Sequence, residues 1–418
     1  MDGLFILGGS TYYTLLLLKS LKAQNLLRSF SRIAVFGRNP ERLDLIATAG
    51  GELVDHQVPI IATDRIEDCL DPSYTIIFNQ MRMGGLDARD KDEKAAIAAR
   101  MPADETIGIV GASNAIRTIK GLAPFAEALR AKQSPYTFLN FTNPCSIVCQ
   151  YLTERLDAQV IGICDYPAFM RREIANKMGV QAQMVSLDYF GLNHFGFIHG
   201  VQIDGREVLA DVIAAKPSFM PDCNRYFSTL LNISWSFVFE NERLVEKQSS
   251  KPNRANTLLD IEQQCDVLLA SKETDAQAYL GILAQRNCDW YDLAVSPVLG
   301  HLTGETSEQV FVNCDAGDAL NLGCEHSIIE ASSTIDPKKV VFDVVPSPIE
   351  TLPEYMLVRL MKQAELKLLE GIVEGDPDTV IEACLLNPMI RSLDKTTDYF
   401  GELQKIDPIM ARFWESGS

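Results

Sequence analysis

The sequence predicts an α/β protein in which a parallel-sheet domain is followed by an α+β domain. Three observations carry that prediction. Short apolar runs that do not alternate with polar residues recur up to Ile163, as strands buried on both faces do. Amphipathic helical patterns separate these runs, which makes the strands parallel. Beyond Met178-Gly179 the pattern changes to strands joined by tight turns, followed by long helices.

The run at residues 4–7 stops at Gly8-Gly9-Ser10, and a helix is expected over 12–24. A glycine-rich stop after the first strand marks a Rossmann-like, dinucleotide-binding domain. A second strand at 33–36 ends at Gly37-Arg38-Asn39-Pro40, where proline is suited to open a helix. Further strands are expected at 74–78, 138–141 and 160–163, separated by helices at 87–100 and 119–131. Residues 184–192, 195–203 and 206–209 read as strands, with Asp204-Gly205 as a turn. Helices at 254–270, 274–285 and 352–374 and a strand at 340–345 complete the reading. Residues 1–180 then form the dinucleotide-binding domain and residues 181–418 the substrate domain.

Composition narrows the function. With 47% hydrophobic and 22% charged residues, the chain is neither disordered nor a coiled coil. Its 38 basic and 56 acidic residues give a net charge of −18, which argues against a nucleic-acid or anionic-membrane surface. A local arginine cluster remains compatible with a small anionic substrate. No apolar run has the length of a transmembrane helix, and the N-terminus lacks a basic, cleavable leader, so the expected location is the cytoplasm. The ten cysteines include no C-x-x-C pair, which argues against structural zinc. Most should be buried thiols, with Cys145 and Cys149 on one helix face.

Five motifs carry chemistry. Gly8-Gly9-Ser10-Thr11 lets a backbone approach a pyrophosphate at a helix N-terminus, or is a plain strand–helix turn. Arg38 stands where an acid usually holds the ribose, which favours NADP over NAD unless the side chain is merely solvated. Asn79-Gln80-Met81-Arg82-Met83-Gly84-Gly85 follows a strand, and Arg82 can clamp an anion or cap the sheet. Asn140-Phe141-Thr142-Asn143-Pro144 offers amides to a sugar or a nicotinamide, or forms a turn and helix cap. The fourth and fifth, Cys164-Asp165-Tyr166-Pro167 and Gly191-Leu192-Asn193-His194, supply a thiol and an imidazole that can share a divalent metal. Taken singly, each is equally a buried cysteine or a backbone-satisfied histidine, and spacing does not join them.

Together these motifs resemble glycoside hydrolase family 4, the NAD- and manganese-dependent glycosidases built on a lactate/malate dehydrogenase-like fold. GGSTYYT, NQMRMGGLDARDKDE, ETIGIVGASNAIRTI, LNFTNPCSIV, IGICDYP, FGLNHFGFIHGV, NRAN and LLNP carry the likeness, from about residue 4 to 388. The resemblance implies hydride removal from C3 of the sugar, loss of the C2 proton to a base, elimination of the leaving group, hydration and hydride return. It implies that Cys164 and His194 hold Mn²⁺ or another divalent ion, and that Asp165, in a C-D-x-P motif of the 6-phospho-α-glucosidase type, is the general acid. Gly8, Gly9, Ser10, Thr11, Arg38, Asn79 and Asn140 are the expected cofactor residues. Arg82, Asn143, Asn193, Arg254 and Arg286 are the expected substrate residues. The second domain is expected to bind the metal and to mediate a homodimer or homotetramer.

The sequence also departs from the family. Its glycine triplet begins with Leu7, the acid after strand two is missing, and G-Q-E-T reads Ala103-Asp104-Glu105-Thr106. The stretch that should supply a tyrosine base, residues 231–239, reads LNISWSFVF. R-G-G-A-x-Y reads Arg286-Asn287-Cys288-Asp289-Trp290-Tyr291. Tyr291, Tyr226 or a metal-bound hydroxide is left as the base. The leading expectation is a glycosidase for a small 6-phosphorylated glycoside. A sugar dehydrogenase or epimerase without bond cleavage, or a non-catalytic nucleotide- or sugar-binding relative, is the alternative.

Overall fold

The computed structural model of the chain describes residues 2–286, 288–317, 320, 322–324, 326–336, 339–343 and 349–415. Six strands form a parallel array: β1 (Asp2–Leu7), β2 (Phe30–Phe36), β3 (Ile60–Thr63), β4 (Tyr74–Asn79), β5 (Thr137–Asn140) and β6 (Gln159–Ile163). Their spatial order is 3-2-1-4-5-6, the doubly wound arrangement in which the crevice opens where the order reverses, between β1 and β4. Strand β1 shows why its sequence is apolar throughout. Leu4 and Ile6 enter the core on one face, and Phe5 and Leu7 enter the core on the other. Helices α1 (Tyr13–Ala23) and α2 (Pro40–Leu53) cover the first face. The second is covered by α3 (Gly85–Ala98), α4 (Gly108–Leu129), α5 (Cys145–Thr153) and C-terminal helices.

The sheet does not stop at β6. Strand β6 pairs antiparallel with β11 (Val310–Asp315), which pairs with β12 (Ile328–Asp336). Strand β12 pairs with β7 (Val185–Leu192), β7 with β8 (Phe195–Ile203), and β8 with β9 (Arg206–Glu207) and β10 (Leu230–Leu231). A last strand, β13 (Lys339–Phe342), pairs with β12. Among the described residues all thirteen strands belong to one sheet, and both halves of the chain contribute to it. Helix α6 (Tyr166–Met178) packs Ala168, Met170 and Ile174 against Val185 and Leu187, beneath the join.

Several elements differ from expectation. Helix α4 starts at Gly108 rather than near Ile119. Its first turns are rich in small residues because they pack closely; a Cβ on Gly111 would lie 2.7 Å from the Thr106 carbonyl oxygen. The strand expected at 206–209 is only two residues long, because a helix, Leu209–Ala215, follows at once. The strand expected at 340–345 runs Lys339–Phe342, and positions 344 and 345 lie outside the described residues. Strands β3, β11 and β12 were not expected. The Cys145 and Cys149 thiols lie 3.8 Å apart on α5, as their spacing requires. No helix among the described residues is long and apolar enough to cross a membrane.

Candidate active site

The glycine turn lies at the carboxyl end of β1. Gly8 adopts φ +79°, and a Cβ there would meet the Met81 backbone at 2.9 Å. A Cβ on Gly9 would meet Val35 at 2.8 Å. Helix α1 then begins with no side-chain cap and no acid in its first turn. Its N-terminal amides and dipole therefore favour an anion. The turn is braced from behind. Thr14 donates to the Gly9 carbonyl (2.9 Å), Gln80 Nε2 donates to Thr14 Oγ1 (2.8 Å), and the Tyr291 hydroxyl donates to Gln80 Oε1 (2.7 Å). Arg38 is exposed at the end of β2 and has no ion pair among the described residues. Asn79 and Asn140, expected at the cofactor, are fully buried and bonded to each other at 2.9 Å. Asn140 also donates to the Thr142 carbonyl (2.9 Å). Their side chains tie the ends of β4 and β5 together, so they shape a ligand site only through the backbone they fix.

Beyond the strand ends lies a cationic wall. Arg82 pairs with Glu105, and Arg89 bridges Glu105 (2.9 Å) and Glu93 (2.6 Å). Burial pushes the Glu105 carboxyl up, but the two guanidinium groups outweigh it and hold it down at about 2. Arg254 and Arg286 have no carboxylate partner among the described residues. Burial, then the neighbouring Arg286 and Arg89 charges, lower the Arg254 pKa. Arg286 lies over Trp290 (4.5 Å) and Tyr13 (5.7 Å), and its Nε is buried without a partner. Asn143 uses its carbonyl to accept from Asn114 (3.2 Å) and leaves its half-buried side chain uncommitted.

The opposite edge carries buried acidic groups. Cys164 directly follows β6, is 5% exposed and accepts the Tyr166 backbone N–H at 3.4 Å. His194, at φ +60°, occupies the tight turn between β7 and β8. The Tyr166 ring lies 5.6 Å from the His194 ring, which brings the fourth and fifth motifs together. Burial, then the Glu330 and Asp165 charges, push the Cys164 thiol well above its usual value. A divalent cation reverses that balance by binding the thiolate. Asp165 begins α6 without a side-chain capping bond. Burial raises its carboxyl above the usual range, against an opposing effect of His194. Asn193 is 3% exposed, and its Oδ1 has no partner. Among the described residues no three His, Cys, Asp or Glu side chains form a complete metal cage. A thiol and an imidazole, with the Asn193 amide donating to the thiol, fit a divalent ion whose remaining positions stay open to ligand oxygens.

Sequence reasoning missed two residues at this edge. Tyr166 is the phenol beside His194, and its hydroxyl accepts the Ile233 backbone N–H at 3.4 Å. It lies inside the C-D-Y-P motif, but its neighbours drew the attention. Glu330 lies on β12, which carried no recognisable pattern. Of the expected phenols, Tyr226 is 74% exposed and lies under Arg225. Tyr291 is buried with its hydroxyl committed to Gln80. In the tyrosine-free stretch, Trp235 fills the core instead, stacked 4.4 Å from Phe195 and donating to the Gly196 carbonyl. Asn287 lies outside the described residues.

Residues 4–180 match the model of the family 4 glycosyl hydrolases, and residues 189–390 match that of the family's C-terminal domain. The 6-phospho-β-glucosidase BglT of Thermotoga maritima is 26% identical over 320 residues, covering 74% of this chain and 75% of that protein. A probable 6-phospho-β-glucosidase of Bacillus subtilis is 24% identical over 377 residues and covers 84% of each. The T. maritima 6-phospho-β-glucosidase solved with manganese, NAD⁺ and glucose-6-phosphate superposes with a TM-score of 0.83 at 20% identity, over 97% of this chain and 98% of that one. A malate dehydrogenase of Plasmodium falciparum superposes with a TM-score of 0.54 at 13% identity, over 89% of this chain and all of that one.

Proposed function

The chain belongs to family 4 of the glycosyl hydrolases, and on that premise we propose that it cleaves a 6-phosphorylated sugar glycoside with a nicotinamide cofactor and a divalent cation bound. One observation carries the reading: Cys164, Asp165 and His194 come together within electrostatic reach of Arg286, which stands beside Arg254 with no carboxylate partner for either among the described residues. The relatives named above as 6-phosphoglucosidases support the phosphorylated substrate. The bound groups supply a reversible hydride acceptor and a Lewis acid for the sugar oxygens.

The protein's own residues then divide the remaining work. The Gly8–Thr11 turn and the start of α1 receive the cofactor's pyrophosphate. Arg254 and Arg286, with Arg82 and Arg89 behind them, hold the sugar phosphate. Asn143 and Asn193 orient hydroxyl groups by donating and accepting. Asp165, whose burial raises its carboxyl above the usual range, gives its proton to the leaving oxygen. The C2 proton goes to a phenolate, which becomes the phenol; Tyr166, whose ring lies beside His194, is our candidate, although burial raises its pKa and a nearby cation must offset that, whereas Tyr291 is bound to Gln80. We further assign the enzyme to the cytoplasm, where its ten free cysteines stay reduced, and expect a homodimer or homotetramer.

The test is a panel of 6-phosphorylated α- and β-glycosides incubated with NAD or NADP, Mn²⁺ and a thiol reductant in deuterated water. Aglycone release with deuterium at C2 is expected. Cofactor reduction with neither event would assign the chain to sugar dehydrogenation instead.

A further inference from the structure

A single row of register partners crosses the join of the two halves. Gly162 of β6 faces Asn313 of β11, Asn313 faces Glu330 of β12, Glu330 faces Gly191 of β7, and Gly191 faces Gly196 of β8. Cys164 lies just beyond one end of this row, and His194 lies in the turn that joins Gly191 to Gly196. Between them stands Glu330, fully buried, with no cation paired to it among the described residues.

Three donors point at that carboxylate. Asn313 Nδ2 reaches Oε1 at 2.7 Å, Asn193 Nδ2 reaches Oε1 at 3.2 Å, and the Tyr189 hydroxyl reaches Oε2 at 2.8 Å. The flanking glycines make the arrangement possible. A Cβ on Gly196 would lie 2.2 Å from the Tyr189 hydroxyl oxygen, and one on Gly162 would lie 2.8 Å from the Asn313 Cβ. A buried carboxylate without a counter-cation is costly, and three hydrogen bonds offset only part of that cost. A cation at the adjacent thiol and imidazole would offset the rest. The Asn193 bond also fixes the residue next to His194 and turns its unpartnered Oδ1 away from Glu330.

We propose that Glu330 is the positioning residue of the metal centre: it anchors the Asn193–His194 turn and supplies the buried negative charge that binds the cation electrostatically from behind. The inference rests on the reading of Cys164 and His194 given above. Outer partners of this kind commonly set metal affinity by about 10–100-fold.

The experiment is a Mn²⁺ titration of the cofactor-loaded enzyme without substrate, read by loss of the free-ion electron paramagnetic resonance signal. Glu330→Gln retains an oxygen for both asparagine donors and removes the charge. It should weaken Mn²⁺ binding at least tenfold while cofactor affinity stays unchanged. A folded variant within threefold of wild type overturns the proposal. Should Glu330→Gln fail to fold, Tyr189→Phe combined with Asn313→Ala removes two of the three donors that hold the carboxylate, with the same tenfold expectation and the same threefold limit. Wild-type protein that binds no Mn²⁺ overturns the metal reading itself, and this inference with it.

Discussion

The two walls of the cleft are unfinished in opposite senses. On one side, Glu105 and Glu93 neutralise Arg82 and Arg89, while Arg254 and Arg286 have no carboxylate partner among the described residues. On the other, Cys164, Asp165 and Glu330 are all raised, chiefly by burial. Arg286 acts on both the Glu105 and Asp165 carboxyl groups, so the walls are within electrostatic reach of each other. A ligand that is anionic at one end and bridges a cation at the other completes both. For the phosphosugar proposed above, charge alone is then expected to set the orientation before any shape complementarity is considered.

That contrast can be broken from either side. The largest effect belongs to the metal edge. Cys164→Ser and His194→Ala should lower turnover by about a thousandfold or more, since a Lewis acid supplies several kcal/mol. Circular dichroism and cofactor affinity should remain unchanged, and a chelator should reproduce the loss in wild type. Next comes the acid. Asp165→Asn should cost about 10²–10⁴-fold on alkyl glycosides and much less on nitrophenyl glycosides, because a good leaving group needs little proton donation. Equal losses on both would remove Asp165 from that role.

The cationic wall should respond more modestly and in a different parameter. Arg254→Ala or Arg286→Ala removes charge-assisted hydrogen bonds of about 1.5–3 kcal/mol, roughly 10–100-fold. The loss should appear in KM for the phosphorylated glycoside and leave a non-phosphorylated analogue unaffected. The smallest effect lies farthest from the chemistry. Arg38→Ala should shift cofactor preference from NADP towards NAD by about tenfold, or 1.4 kcal/mol, in calorimetry. A wild type that already prefers NAD tenfold would show that Arg38 is merely solvated.

The parallel half was legible because its signals are local. Strands β1, β2 and β4 each carry a run of three or more consecutive apolar residues. Gly8 and Gly37 stop two of them by need of backbone approach. The thiol–imidazole pairing was readable only through a family resemblance, since β11 and β12 separate β6 from β7 in space and follow both in sequence. Those two strands give no sustained apolar run, because buried polar residues interrupt their buried apolar ones. Glu330, Ser332, Ser333 and Asn313 interrupt the apolar pattern yet are fully buried. Their partners come from distant strands, so periodicity gives no hint of their burial. Asn79 and Asn140 failed in the opposite way: good ligands by chemistry, they satisfy each other across adjacent strand ends. Tyr166 carries no sequence signal of its own, because only folding brings it to His194.

The antiparallel pairing of β6 with β11 also bears on how the chain can be divided. A fragment ending near residue 180 would keep β5 on one side of β6 and lose β11 on the other. The apolar segment QVIGI would then present an unpaired row of amides and carbonyls, the kind of edge that recruits further chains. The complementary fragment would hold β11 with the same need. Neither half is thus expected to stay dispersed when expressed alone, whereas two fragments made in one cell should find each other through that missing ladder and through the C-terminal helices that cover the parallel sheet.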